Sequence, residues 1–237
     1  MGMGINVVQD GSEVVVVQLS RPPDNAFTLE MCAALTDVLS SPPKGAHLLR
    51  IRGEEGVFCR GREPAAGGPE AAQATVAGLT AVTRALGDSN LVTLAEVDGD
   101  AAGFGVGLAA LCDVTVASER ARFWFPEVAH NRAPALVLSW LPRVVGRRQA
   151  FWLTATGERL DALSARDLGL VNLVCSPERL GQQVEEIVTS LLRYQSAVHA
   201  EIKRDIRDFE TLDPAAVSTM ASDRLVMSTV IAENGQN

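Results

Sequence analysis

Apolar and polar positions along the chain alternate with two periods, and each period predicts an element. Residues 14–19 (VVVVQL) and 48–52 (LLRIR) are short β-rich runs closed by Arg21-Pro22-Pro23 and by Gly53, so both read as strands. Between them Thr28 precedes Leu29, Cys32, Leu35 and Leu39, which recur at helical spacing, and residues 28–39 are expected to form a helix. Residues 63–69 are small, Pro/Gly-rich and without period, the mark of a surface loop. A helix over 71–86, a strand over 91–97, a short buried helix over 103–111 and a strand over 114–117 follow. Strands alternating with helices imply an α/β fold with a largely parallel sheet covered by helices. From Gln149 onward the pattern is helical, with one β-rich interruption at 170–174. Helices over 178–192, 198–208 and 214–230 have no further strand to pack on, so the tail is expected to supply a subunit interface or a lid.

Composition narrows the choice. The chain has 237 residues, 47% hydrophobic against 21% charged, which excludes disorder and allows one substantial core. A formal net charge of -8 argues against general affinity for nucleic acid or an anionic membrane, since both rely on a basic surface. An anionic ligand would need a local basic patch. Cys32, Cys59, Cys112 and Cys175 are widely spaced, with no CxxC pair and no histidine at metal-ligand distance, so they read as reduced core thiols and no metal site is expected. The first residues lack a basic and then apolar leader, and no apolar run approaches the ~20 residues of a membrane helix, so a cytoplasmic protein is expected.

The stretch "EVDGDAAGFGVGLAALCDVTVASERARFWFPE", Glu96 to Glu127, holds the candidate chemistry. Gly103, Gly105 and Gly107 follow a predicted strand and open a helix, but Leu108 stands where a dinucleotide-binding fingerprint needs its third glycine. The order of apolar strand, Asp98-Gly99, glycine-rich turn, helix ending Leu111-Cys112-Asp113, strand and Phe125-Pro126-Glu127 resembles the crotonase, or enoyl-CoA hydratase/isomerase, superfamily. "LSRPPDNAFTLEM" (19–31), "GVFCRGRE" (56–63) and "LTATGERLDALSARDLGLVNLV" (153–174) are similar to three further motifs of that family, so the resemblance spans nearly the whole chain.

That resemblance implies a crotonase-like β/α spiral core over 1–176, a C-terminal helical oligomerisation region over 177–237, a homotrimer or hexamer, and acyl-CoA ligands. Coenzyme A enters as part of the substrate; no separate cofactor is implied. The shared chemistry is an enolate whose oxygen is held by two backbone N–H groups, a task for which glycine lets the ligand approach the main chain. By alignment the donors are the N–H of Arg62 and of Phe104, with Gly105 as the fallback for the second because many relatives carry glycine at 104. Hydratases of the family use two glutamates; the first falls at Gly107 here and the second at Glu127. The apolar neighbours Trp124, Phe125 and Pro126 are expected to raise the Glu127 pKa, which suits a general base.

His130, three residues on, is a candidate second proton-handling group, whereas His47 and His199 read as structural. For the substrate and its CoA moiety the candidates are Gly103 in the glycine turn, Arg21 near the adenine, Glu63 at the family's loop-aspartate position and Lys203 near the phosphates. Arg204 and Arg207 share the Lys203 helix, Arg143, Arg147 and Arg148 read as a surface cluster, and Asp100 reads as a turn residue. One carboxylate fits double-bond isomerisation of an enoyl-CoA. Hydration with a substitute for the missing glutamate, C–C or thioester hydrolysis, and an acyl-CoA-binding protein with weak catalysis remain open.

Overall fold

The computed structural model describes residues 4–54, 56–64 and 67–234, with side chains through 227. Two sheets share the chain. The larger runs β1-β2-β3-β5-β7-β10, from β1 (Ile5–Asp10), β2 (Val14–Leu19), β3 (Leu48–Arg52), β5 (Val92–Val97), β7 (Val114–Ser118) and β10 (Leu173–Cys175); only the β1–β2 pair is antiparallel. The smaller runs β4-β6-β8-β9, from β4 (Val57–Cys59), β6 (Asp100–Ala102), β8 (Arg122–Trp124) and β9 (Leu160–Asp161), with β4, β6 and β8 parallel. Successive turns of the chain therefore visit the large sheet, then the small one, then a helix: β3, β4 and α2 (Gly68–Asp88); β5, β6 and α3 (Phe104–Ala110); β7, β8 and the helices that follow. This is the expected β/α spiral.

Local chemistry explains the early elements. Thr28 caps α1 (Leu29–Ser40) by accepting from the Met31 N–H, and Met31, Cys32, Leu35 and Leu39 form its buried face. Phe27, Phe58, Phe123 and Phe125 are fully buried in a core between the sheets and α1 to α3. The loop expected over 63–69 is cut short because α2 already starts at Gly68; residues 65 and 66 lie outside the described residues.

Further along come α4 (Ala135–Leu138), α5 (Leu141–Thr156), α6 (Ala162–Asp167), α7 (Leu180–Leu191), α8 (Ser196–Phe209) and α9 (Pro214–Asn234). One expectation about this tail is corrected. The first helix, α7, does cover a sheet: its Leu180, Val184 and Val188 pack on Leu48, Val92, Leu94 and Val116 of the larger sheet, each contributing roughly 1.5–3 kcal/mol by burial. Along β3 the side chains alternate, so Leu49 and Ile51 enter the main core while Leu48 and Arg50 face α7. Buried Arg50 is matched by Glu96 at 2.6 Å and by Glu185 of α7 at 2.6 Å. The apolar runs of 91–97 and 114–117 thus served two faces, which periodicity alone did not reveal. No helix of the described residues is long and apolar enough to cross a membrane.

Candidate active site

Three parallel neighbours in the smaller sheet, β4, β6 and β8, end side by side, and the chain leaving each end carries one candidate residue. Arg62 lies three residues past β4, Phe104 two past β6 and Glu127 three past β8. Adjacent strands are about 4.8 Å apart, so these segments converge at the carboxyl edge of the sheet, where open α/β folds bind ligands. Cross-links fix their spacing: the Gly103 N–H donates to Trp124 O at 2.9 Å, and Asn25 Nδ2 donates to Val57 O at 3.0 Å. Asn25, buried, thereby ties the "RPPDNA" segment to β4.

The two proposed oxyanion donors are braced by one residue. Phe27 pairs with Arg62 in an isolated parallel bridge, in which the Phe27 N–H donates to Gly61 O and the Glu63 N–H to Phe27 O, both at 2.9 Å. Such a bridge uses the groups flanking Arg62, so the Arg62 N–H points to the opposite side of its strand. The Phe27 ring packs against the Phe104 ring with centroids 5.1 Å apart. Phe27 therefore touches both donor segments, a role hidden in the sequence because it sits in a motif as one apolar residue among several.

Glycine is required here for close approach. Gly103 (φ +52°) caps α3, and a Cβ there would lie 2.8 Å from Glu127 Oε1. A Cβ on Gly105 would lie 1.9 Å from Cys59 O, so that glycine lets α3 press on β4. Gly107, where the resemblance places the first of the two glutamates of a hydratase, is covered by the Trp140 indole, 3.4 Å from a would-be Cβ.

Glu127 opens a one-turn 3-10 segment, Pro126–His130, after extended Phe125. Its Oε2 is buried and makes no hydrogen bond. Burial pushes its carboxyl above the ordinary glutamate range, opposed by its own backbone N–H and by the charges of Arg62 and His130. A half-buried carboxylate with one buried, unused oxygen and a raised pKa is equipped to take and return a proton. His130 is exposed at the end of the same segment and acts on Glu127 through charge.

The remaining candidates are placed elsewhere. Arg21 and Glu63 pair with each other, and Arg21 also donates to Ala26 O at 3.4 Å. Lys203 departs from expectation: its Nζ lies 2.7 Å from Leu91 O and 2.7 Å from Asp113 Oδ2, so its charge pins α8 to the core. Arg207 pairs with Asp88. Asp100 starts β6 and pairs with Arg60 at 2.6 Å, and Arg159 stacks on Trp124 at 4.1 Å. Burial pushes the Cys59 and Cys112 thiols up to about 12, as inert core groups. No cluster of metal-ligating side chains occurs among the described residues.

Comparison with known proteins bears on the family and the fold. The enoyl-CoA hydratase/isomerase family matches residues 9–235. The chain belongs to this family. It is 32% identical over 170 residues to a probable mitochondrial enoyl-CoA hydratase of Arabidopsis thaliana, and 42% identical over 94 residues to a putative enoyl-CoA hydratase of Thermus thermophilus. These matches cover 68% and 40% of this chain but only 56% and 36% of the two relatives. The crystal structure of an enoyl-CoA hydratase from Mycobacterium smegmatis superposes with a TM-score of 0.90 at 26% identity, covering 96% of this chain and 91% of that one. The crotonase fold, with its mixed sheets and C-terminal helices, is thereby established.

Proposed function

We propose that this family member binds an acyl-CoA thioester and shifts the double bond of an enoyl-CoA, with Glu127 as the single proton shuttle. The observation that carries the reading is the buried, unpartnered Oε2 of Glu127 at the edge where β4, β6 and β8 end. In the forward step the ionised Glu127 removes a proton from the α-carbon of a 3-enoyl thioester. The electron pair delocalises onto the thioester oxygen, which accepts hydrogen bonds from the N–H groups of Arg62 and Phe104. Protonated Glu127 then returns the proton to the γ-carbon, giving the 2-enoyl thioester and restoring the carboxylate. One group suffices, because the same proton leaves and returns.

A second reading, hydration of a 2-enoyl-CoA, is favoured by the relatives' names and would need a further proton-handling group, for which His130, whose charge reaches Glu127, is the candidate. Incubation with panels of 2-enoyl-CoA and 3-enoyl-CoA thioesters, followed by mass spectrometry, separates the two: hydration adds the mass of water and isomerisation adds nothing. Absence of turnover on either panel would refute both. Assembly as a trimer or a dimer of trimers is part of the proposal. Val198, Ile202 and Ile206, at i, i+4 and i+8 on α8, present an exposed apolar stripe suited to a second subunit. Sedimentation of a monomer at micromolar concentration would refute that assembly.

A further inference from the structure

We infer that Trp140 is a specificity-determining residue of this site, its indole closing the wall beside Glu127 so that a proton can be relayed but water cannot be delivered. The inference rests on the proposed enoyl-CoA chemistry and explains which outcome that chemistry takes.

Gly103, the N-cap of α3, and Gly107, within its first turn, are four residues apart and joined by a Gly107 N–H to Gly103 O hydrogen bond of 3.3 Å, so they lie a turn apart at the start of the helix. The first faces the Glu127 carboxylate, with Oε1 2.8 Å from its would-be Cβ. The second faces the edge of the Trp140 ring, with Cζ2 at 3.4 Å and Cε2 and Nε1 at 3.7 Å. Base and indole therefore pack against the start of α3 about one turn apart. Trp140 precedes α5 and is 8% exposed, held among core residues that include Val137 and Leu141.

Adding water to an enoyl thioester needs room for a water opposite the β-carbon and an acceptor to take its proton. An indole N–H donates and cannot accept, so the group over Gly107 cannot activate water. Its ring also fills the space in which a longer side chain at 107 would project.

The test follows crotonyl-CoA and vinylacetyl-CoA in heavy water, measuring the ratio of hydrated product to isomerised or deuterium-exchanged product. Trp140→Leu, which keeps an apolar side chain but removes the ring, opens room for a water with Glu127 as the remaining acceptor and should raise that ratio by about 10–200-fold, the range over which small changes in pocket shape discriminate substrates. Trp140→Phe, which keeps a ring, should leave the ratio near the wild-type value. Gly107→Glu alone should gain no hydration, whereas Gly107→Glu with Trp140→Leu should gain it; if Trp140→Leu fails to fold by circular dichroism, Gly107→Glu alone, which keeps the indole, still decides the test. An unchanged ratio in folded Trp140→Leu, or hydration by Gly107→Glu alone, overturns the assignment while leaving the isomerase reading intact. Wild-type protein that hydrates both thioesters without exchange overturns that reading as well.

Discussion

Replacing Glu127 with Gln removes the proposed base while preserving the shape of the side chain, and the structure fixes two consequences of opposite sign. The first is catalytic. Oε2 has no hydrogen-bond partner, so no structural bond is lost on that oxygen, and thioester binding should persist. General-base catalysis typically contributes ~10²–10⁴-fold, or about 3–5 kcal/mol of barrier, so kcat should fall by that factor with KM little changed. Deuterium exchange at the α-carbon should vanish with it. The wild-type rate should decline on acidification through a pKa above the ordinary glutamate range, because burial raises that pKa and the base acts only when ionised.

The second consequence is for stability. A carboxyl whose pKa is raised on folding stabilises the fold below its unfolded pKa, near 4.3, and that contribution is lost as pH rises through the folded value. At neutral pH the native chain therefore carries an ionised, desolvated carboxylate that Gln does not. Glu127→Gln should melt higher than wild type near neutrality, and the difference should shrink toward about pH 4, where the unfolded carboxyl also protonates. Circular-dichroism melts across this range, paired with exchange measured by mass spectrometry, read both effects. Persisting α-carbon exchange in Glu127→Gln would refute the choice of base. A melting difference independent of pH would refute the burial argument.

Other expectations address the rest of the site and the docking of the tail. Arg62→Pro deletes the proposed oxyanion donor and should lose on the order of 10²–10³-fold in kcat, whereas Arg62→Ala keeps the N–H and should lose far less; equal losses in folded variants would exclude the backbone role. Phe27→Leu loosens the residue that touches both donor segments, so kcat should fall more than binding of a CoA thioester measured by calorimetry, and equal effects on both would exclude a positioning role. His47, whose Nε2 lies 2.8 Å from His199 Nδ1 of α8, has its pKa lowered by burial and by His199, with Glu13 opposing. Its contribution to stability is present above about pH 6.5 and lost as pH falls through the lower folded value, so α8 amides should exchange faster with solvent on acidification, and His47→Gln should flatten that dependence.

Legibility of the fold in the sequence varied with the length of each element. Strands of five or six residues with β-branched runs, and α1 with its Thr28 cap, were readable because pattern and capping coincide. The smaller sheet was not: β4, β6 and β8 are three residues each, shorter than the window in which alternation can be recognised, yet they position the site. β1 was missed because five of its six residues are exposed, leaving no buried face to betray it. Of the site, Glu127 was singled out by the family resemblance, and its apolar neighbours foretold the direction in which burial moves its pKa. The Gly107–Trp140 and Phe27–Phe104 contacts join residues 33 and 77 positions apart and could come only from the fold.

Lys203 shows why a charge on a helix is weak evidence for a ligand. In sequence it heads a basic cluster with Arg204 and Arg207, suited to phosphates. In the fold its ammonium meets a carboxylate that is already committed: Asp113 Oδ2 also accepts from the Thr93 N–H and hydroxyl at 2.7 and 2.8 Å. Asp113 follows the α3 segment, and Thr93 lies in β5, so Lys203 closes a polar network joining α8 to the strand and helix that lead into and out of the glycine turn. Removing Asp113 would leave the mostly buried Lys203 ammonium without its carboxylate, which costs more than the pair contributes. The lysine and the aspartate therefore belong to one unit, and the far end of α3 is anchored by the tail while its near end is free to face a ligand.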